Sequence, residues 1–401
     1  MNTNIENKQN HPGYRFAVLI LMVLIAGFSQ GMLLPLLAIM LEQAGTSSSL
    51  NGLNAAALYI GILLASPFIE KPVRKYGYKP VITIGLILII FSLFLFPFWQ
   101  VFWFWFILRM IVGIGDNMVH FATQVWITST SPVHKRGRNI SLYGLAFSLG
   151  FSAGPFMTRL LAINEYFPFI IAALFSLVSY GFVLFLKNEW PENDLETAKQ
   201  TGTWGRYKQV IKLAWFALLP GFCYGFLEAS IHGNYPVYAL RSGFTIEWVS
   251  ILLPAFVIGG LITQLPLGLL SDKWGRKKIL LTVTFLGSLS FFSMIFVEQS
   301  HLLLLFIFTI AGALVGSLYS LGVMYLADLL PRNLLPTGNV MTAVSFGLGS
   351  ILGPLTGGIL IDVMERGSIY FAVGGILFIV FILGVVFKEK APANVKKAAT
   401  A

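Results

Sequence analysis

Charged side chains make up only 11 % of this 401-residue chain, against about 25 % in an ordinary soluble domain. So few charges exclude a soluble globular protein, which would lack the polar groups to cover its surface. There is one cysteine, Cys223. A lone thiol excludes an intrachain disulfide framework and a multi-cysteine metal site, and it reads as a small packed residue. No Gly-x4-Gly-Lys-Ser/Thr loop is present, which excludes an ATP-driven pump of that type. No catalytic triad or metal cluster presents itself, so the expectation is a protein that is not an enzyme and holds no cofactor. The first apolar run is too long for a signal-peptide core and has no small-residue cleavage site after it.

What is abundant is apolar sequence, 56 % of residues, gathered in continuous runs. A helix needs about 20 mostly apolar residues to cross the hydrocarbon core. Continuous runs read as helices, whereas barrel strands would alternate. Twelve runs are expected to span, at about 16–42, 50–69, 80–100, 102–129, 139–162, 166–187, 211–238, 247–270, 277–298, 301–329, 337–362 and 367–387. The fold class is therefore all-α and polytopic. The domain reading is a tail (1–15), a six-helix bundle (16–187), a linker (188–210), a second bundle (211–387) and a second tail (388–401).

The net charge of +10 is a topology signal, not a nucleic-acid footprint. With the N-terminus in the cytoplasm, all but four of the 27 Lys and Arg fall on cytoplasmic segments. The exceptions are Arg159, Arg241 and Arg366 near the opposite side and Arg109 within a span. This bias predicts both termini in the cytoplasm, with anionic lipid head groups as neighbours. The expected location is the plasma or inner membrane.

The two halves repeat. Pro132 and Pro331, Gly113 and Gly312, Gly150 and Gly349, Gly154 and Gly353, and Pro155 and Pro354 all share an offset of 199. A duplicated six-helix unit explains one constant spacing, and parallel repeats of this kind are a known transporter plan.

Three motifs stand out. The first is Gly268-Leu-Leu-Ser-Asp272-Lys273-Trp-Gly275-Arg276 between spans 8 and 9, whose counterpart Glu70-Lys-Pro-Val-Arg74-Lys75-Tyr-Gly77 is degenerate. The second is Gly150-x-x-x-Gly154-Pro155 in span 5, echoed by Gly349-x-x-x-Gly353-Pro354 in span 11. Glycines four apart let helices approach closely, and proline permits a bend. The third is Arg109-Met-Ile-Val-Gly113-Ile-Gly115-Asp116 in span 4. Together these resemble the major facilitator superfamily, and the span 4 and span 5 motifs resemble its 12-span drug:proton antiporters. Thr158 and Arg159 replace the terminal glycine pair of the span 5 motif, Val112 stands where the span 4 motif often has Gln, and Asp116 where a small residue is usual. The branch is therefore divergent. The resemblance implies two bundles related by a pseudo-twofold axis, a cytoplasmic latch at Asp272, and a cavity lined by spans 1, 4, 7 and 10. With Arg74 at the aspartate position of the first-half loop, Glu70 is the candidate substitute there.

Arg109, Asp116 and Glu228 are the ionisable residues placed deep within spans. A charge at the helix centre costs about 2.5–3.5 kcal/mol on insertion scales, so such residues face a partner or a cavity. Arg109, Gly113, Asp116 and His120 share one face of span 4, extended by Thr123, Gln124 and Thr128. Arg109 and Asp116 lie about 10 Å apart along the axis, so a direct pair requires the guanidinium to reach inward. Glu228 and His232 are one turn apart on span 7, which Gly221, Gly225, Gly233 and Pro236 interrupt. Asp116, Glu228 and Arg109 are the proton-coupling candidates. His120, Gln124, Trp126, Phe147, Phe222, Tyr224, Phe226, His232 and Tyr319 are cavity candidates, because aromatic faces attract lipophilic cations.

The expected function is secondary active, proton-driven export of lipophilic and often cationic compounds by alternating access. The partners are a small-molecule substrate, protons and the bilayer, with a functional monomer and no nucleic acid. The alternatives are an exporter of one metabolite or siderophore, a uniporter or symporter of a polar nutrient, and a membrane sensor that no longer transports.

Overall fold

A long, unbroken apolar stretch satisfies its own amides in lipid by coiling into a helix, and the chain does so. A computed structural model of the protein describes residues 12–191, 203–364 and 366–388. Most of the two expected tails and the middle of the expected linker lie outside the described residues. Among those described there are helices and turns and no strand.

Among the described residues twelve helices are long and apolar enough to cross a membrane: Pro12–Gln43, Ser48–Ala65, Tyr78–Phe98, Phe102–Thr130, His134–Ala162, Phe167–Leu184, Trp204–Gly233, Ile246–Trp274, Arg276–Val297, His301–Leu329, Leu335–Val363 and Ser368–Val386. They are spans 1 to 12. Span 2 is shorter than its apolar run, because the chain turns at Ser66–Phe68 into the short amphipathic helix Glu70–Tyr76. Span 7 stops at Gly233, and after one intervening residue, Asn234, a separate helix, Tyr235–Arg241, begins with Pro236 in its first turn. In span 5 the helix tightens into a 3-10 stretch, Gly154–Ala162, where Pro155 cannot donate.

The chain forms two compact units. The first holds spans 1 to 6 together with 231–255 and 354–363, which are the end of span 7, the start of span 8 and the end of span 11. The second holds the remainder of spans 7 to 12.

Each unit is built on the same close approaches. A Cβ on Gly113 would collide with the Leu58 carbonyl, and one on Gly312 with the Phe256 carbonyl. Gly150 meets the Leu24 carbonyl, and Gly349 meets that of Phe222. Gly154 lies against Gly31 and Met32 of span 1, and Gly353 against Phe226 of span 7. Spans 2 and 4 thus meet backbone to backbone as spans 8 and 10 do, and spans 1 and 5 as spans 7 and 11 do. The repeated glycines are places where a methyl group has no room.

The loop motif also repeats its contacts with altered chemistry. Arg276 donates to Asp328 of span 10 at 2.9 Å and to Asp272 at 3.2 Å. The equivalent position in the first half is Tyr78, whose hydroxyl meets Ser129 of span 4 at 3.0 Å. Tyr78 also stacks on Trp126, with centroids 5.3 Å apart. A neutral pair and an aromatic stack replace the ion pair. Glu70, the candidate substitute for the missing aspartate, bonds Arg74 one turn away within its own short helix. Gly77 and Gly275 both adopt positive φ, 86° and 92°, which only glycine takes without strain.

Candidate functional site

In the first unit, span 4 presents its polar face inward. Arg109 and Asp116 are each 1 % exposed. The guanidinium turns away from Asp116, toward spans 1 and 2. It donates to Asn54 at 2.7 Å and to the Leu33 and Leu34 carbonyls at 3.2 and 3.4 Å. Arg109 therefore ties three helices together. Replacing Asn54 by Leu removes a side-chain acceptor from a buried cation, and we expect a loss of about 2 kcal/mol of stability. Thermal unfolding of the purified protein measures it, with Asn54→Asp as the variant expected to keep the bond.

Asp116 is different. Among the described residues no donor reaches either of its carboxylate oxygens. Buried polar atoms normally have a partner, so this carboxyl is an open group in an otherwise packed span. One turn further along, His120 Nδ1 lies 2.7 Å from the Tyr143 hydroxyl of span 5. The His120 ring meets Phe147 edge-on at 5.1 Å, Phe147 stacks on Phe151 at 5.7 Å, and Phe151 meets His232 at 4.6 Å. A ladder of rings thus runs from His120 to His232. The other nitrogens, His120 Nε2 and His232 Nδ1, are also buried without a partner among the described residues.

In the second unit, Glu228 is half-buried on span 7. Tyr224, one turn before it, stacks with Phe346 at 6.2 Å and lies 6.5 Å from Tyr319. Tyr319 meets Phe346 at 5.6 Å with planes 79° apart. The His120–Phe147 pair is its counterpart at the repeat offset, also edge-on at 81°. Each unit thus carries one copy of the same aromatic corner. Phe222 and Phe226 lie 6.5 Å apart on the same span.

One expected cavity residue has other work. Trp126 is fully buried, stacked on Tyr78, and its indole donates to Glu189 at 2.8 Å. Glu189 also bonds Arg15 of span 1, so Trp126 fastens the end of span 6 to the first unit. Gln124 lies exposed on span 4. Tyr143, Phe151 and Phe346 escaped the sequence reading. Phe346 was reachable from Phe147 by the repeat offset, whereas Tyr143 and Phe151 are apolar-span aromatics with no local mark. No group of three or more His, Cys, Asp or Glu that would hold a metal occurs among the described residues.

The model of the Major Facilitator Superfamily matches residues 19–257 and 243–401. An uncharacterized MFS-type transporter of Bacillus subtilis strain 168, YfkF, is 47 % identical over 378 residues, covering 94 % of this chain and 96 % of its own. Multidrug resistance protein 1 of the same organism is 24 % identical over 382 residues, covering 94 % and 97 %. Among solved structures, a D-xylose-proton symporter superposes with a TM-score of 0.77 at 14 % identity, over 94 % of this chain and 98 % of its own. The nucleoside transporter NupG gives 0.75 at 13 % identity, over 93 % and 99 %.

Proposed function

Because this chain belongs to the major facilitator superfamily and is a multi-pass membrane transporter, we propose that it exports lipophilic, often cationic, compounds in exchange for protons. The observation that carries this reading is Asp116: a buried carboxyl that accepts no hydrogen bond among the described residues, beside an aromatic corner, with the nearest cation of its own span committed elsewhere. Desolvation makes an unpaired carboxylate costly. Two things relieve that cost: a proton, or a cation lodged against the carboxyl. They compete for one group, and such competition is what antiport needs. A ligand shifts a conformational equilibrium only through its differential affinity for the states, and an acid that changes solvent access between states supplies it.

His120, one turn from Asp116, and the Phe147 and Phe151 rings that continue from it offer faces and edges to which a flat lipophilic cation is attracted by the aromatic quadrupole. Glu228, with Tyr224 and Tyr319, is the second carboxyl that a proton or a cation satisfies. The similarity to Multidrug resistance protein 1 supports the substrate class. The charge bias of the loops supports cytoplasmic termini, which places the turn between spans 1 and 2 on the outside.

Inverted membrane vesicles test this reading. Energised vesicles holding the protein are expected to accumulate cationic dyes several-fold over vesicles without it, and a protonophore should abolish the difference. Accumulation of a neutral pentose or nucleoside in place of the dyes would reject it.

A further inference from the structure

The face bearing the turn between spans 1 and 2 carries a charged cluster that the export reading does not use. Span 2 begins there at Ser48. The first four amides of a helix have no partner within it. Here Ser47 accepts from Leu50 N at 3.4 Å, an ordinary local cap. The Ser48 and Ser49 amides are taken instead by Asp362, which lies at the end of span 11, 314 and 313 residues away. The bonds are 3.0 and 2.8 Å, and the Ser49 hydroxyl adds a third at 2.6 Å. A carboxylate at a helix N-terminus also interacts favourably with the helix dipole.

Asp362 is tied further. Arg241, at the end of the short helix after span 7, approaches it at 3.4 Å. The same guanidinium grips Glu42 at the end of span 1 with two bonds, Nε to Oε1 at 2.7 Å and Nη2 to Oε2 at 3.1 Å. Fork-on-fork geometry is the stronger kind of ion pair. Its bond to Glu42 pushes the Arg241 pKa up from an already high value, so deprotonation of the guanidinium does not open the cluster.

The backbones beneath are equally close. A Cβ on Gly52 would strike the Pro354 carbonyl, and one on Gly358 the Ser48 carbonyl. Asn234 donates to the Pro354 carbonyl at 3.1 Å. On the same face Arg159, ending span 5, donates to Ser250 of span 8 at 2.7 Å. The contacts therefore join ends of spans from the first sequence repeat to ends of spans from the second. A carrier of the alternating-access type must part such ends to open this face.

We propose that Glu42, Arg241, Asp362 and the start of span 2 form a latch that holds the outer face closed and sets how often it opens. Each charged partner is partly exposed, with 17 to 38 % of its side chain accessible. Partly solvated pairs of this kind bias an equilibrium and do not lock it. The inference rests on the topology given above for the word "outer", and not on the identity of the substrate.

Cysteine accessibility tests it without any substrate. In a Cys223→Ser background, Ala55→Cys places a reporter on span 2 at a site that is fully buried. The probe is a membrane-impermeant maleimide, applied to intact cells and to inverted vesicles. Asp362→Asn and Arg241→Gln are each expected to raise the labelling rate in cells about tenfold, a shift of roughly 1.4 kcal/mol in the equilibrium. Ser49→Ala, a milder change, should raise it in the same direction by less. Equal rates in the parent and in all three weakened variants would overturn the latch. A rise seen only in inverted vesicles would keep the latch and reverse the topology. Loss of dye export with these labelling changes intact would reject the export reading alone.

Discussion

Asp116→Asn is expected to abolish concentrative transport while leaving downhill movement of the same compound. The substitution preserves shape and burial and removes the titration. A proton moving down one pH unit releases about 1.36 kcal/mol, which supports about a tenfold concentration ratio per proton exchanged. An amide cannot carry that proton. Vesicles with the variant should therefore reach a ratio of one, with or without a pH gradient, and should still equilibrate dye faster than empty vesicles. Asparagine fits the same pocket, so the yield and thermal stability of the variant should stay near those of the parent. A gradient-dependent ratio in the variant would remove Asp116 from the coupling step and turn attention to Glu228.

The second large effect concerns packing. Gly113→Leu and Gly312→Leu are expected to destabilise the protein by about 3 kcal/mol or more, since overpacking a filled interface costs about 1–3 kcal/mol even where the neighbour is a yielding side chain. Here the neighbours are the carbonyls of Leu58 and Phe256, which move only if a whole helix moves. Both variants should lose folded yield and show earlier thermal aggregation in detergent. The controls are Gly181→Ala and Gly375→Ala, whose Cβ would meet nothing within 4 Å. Similar behaviour of the four proteins would show that the repeated glycines are not what fixes the helix spacing.

The sequence carried the plan of the fold because lipid enforces it. Uninterrupted apolar runs have to be helices, and small residues at one offset have to mark equivalent contacts; Gly113 and Gly312 meet equivalent carbonyls for that reason. The site was only partly legible. The shared face of Arg109, Asp116 and His120 follows from helical period, but the direction of a long side chain does not. The Arg109 guanidinium had Asn54 and two carbonyls within reach, and nothing in the period of span 4 distinguishes those from Asp116. Trp126 fits a cavity wall by composition, yet Glu189 lies 63 residues away and captures its indole. The cluster at Glu42, Arg241 and Asp362 is invisible in sequence because its members are joined only by tertiary packing. Each one read alone is an exposed charge at a helix end.

Competition between a proton and a cation at one buried carboxyl is the centre of the proposed exchange. Proton release into weakly buffered solution, recorded as a lipophilic cation is added to the purified protein, tests that most directly. The parent should release protons in proportion to the ligand bound, more so at mildly acidic pH, and Asp116→Asn should bind with reduced release. Equal release from both proteins, or binding by the parent with none, would contradict it.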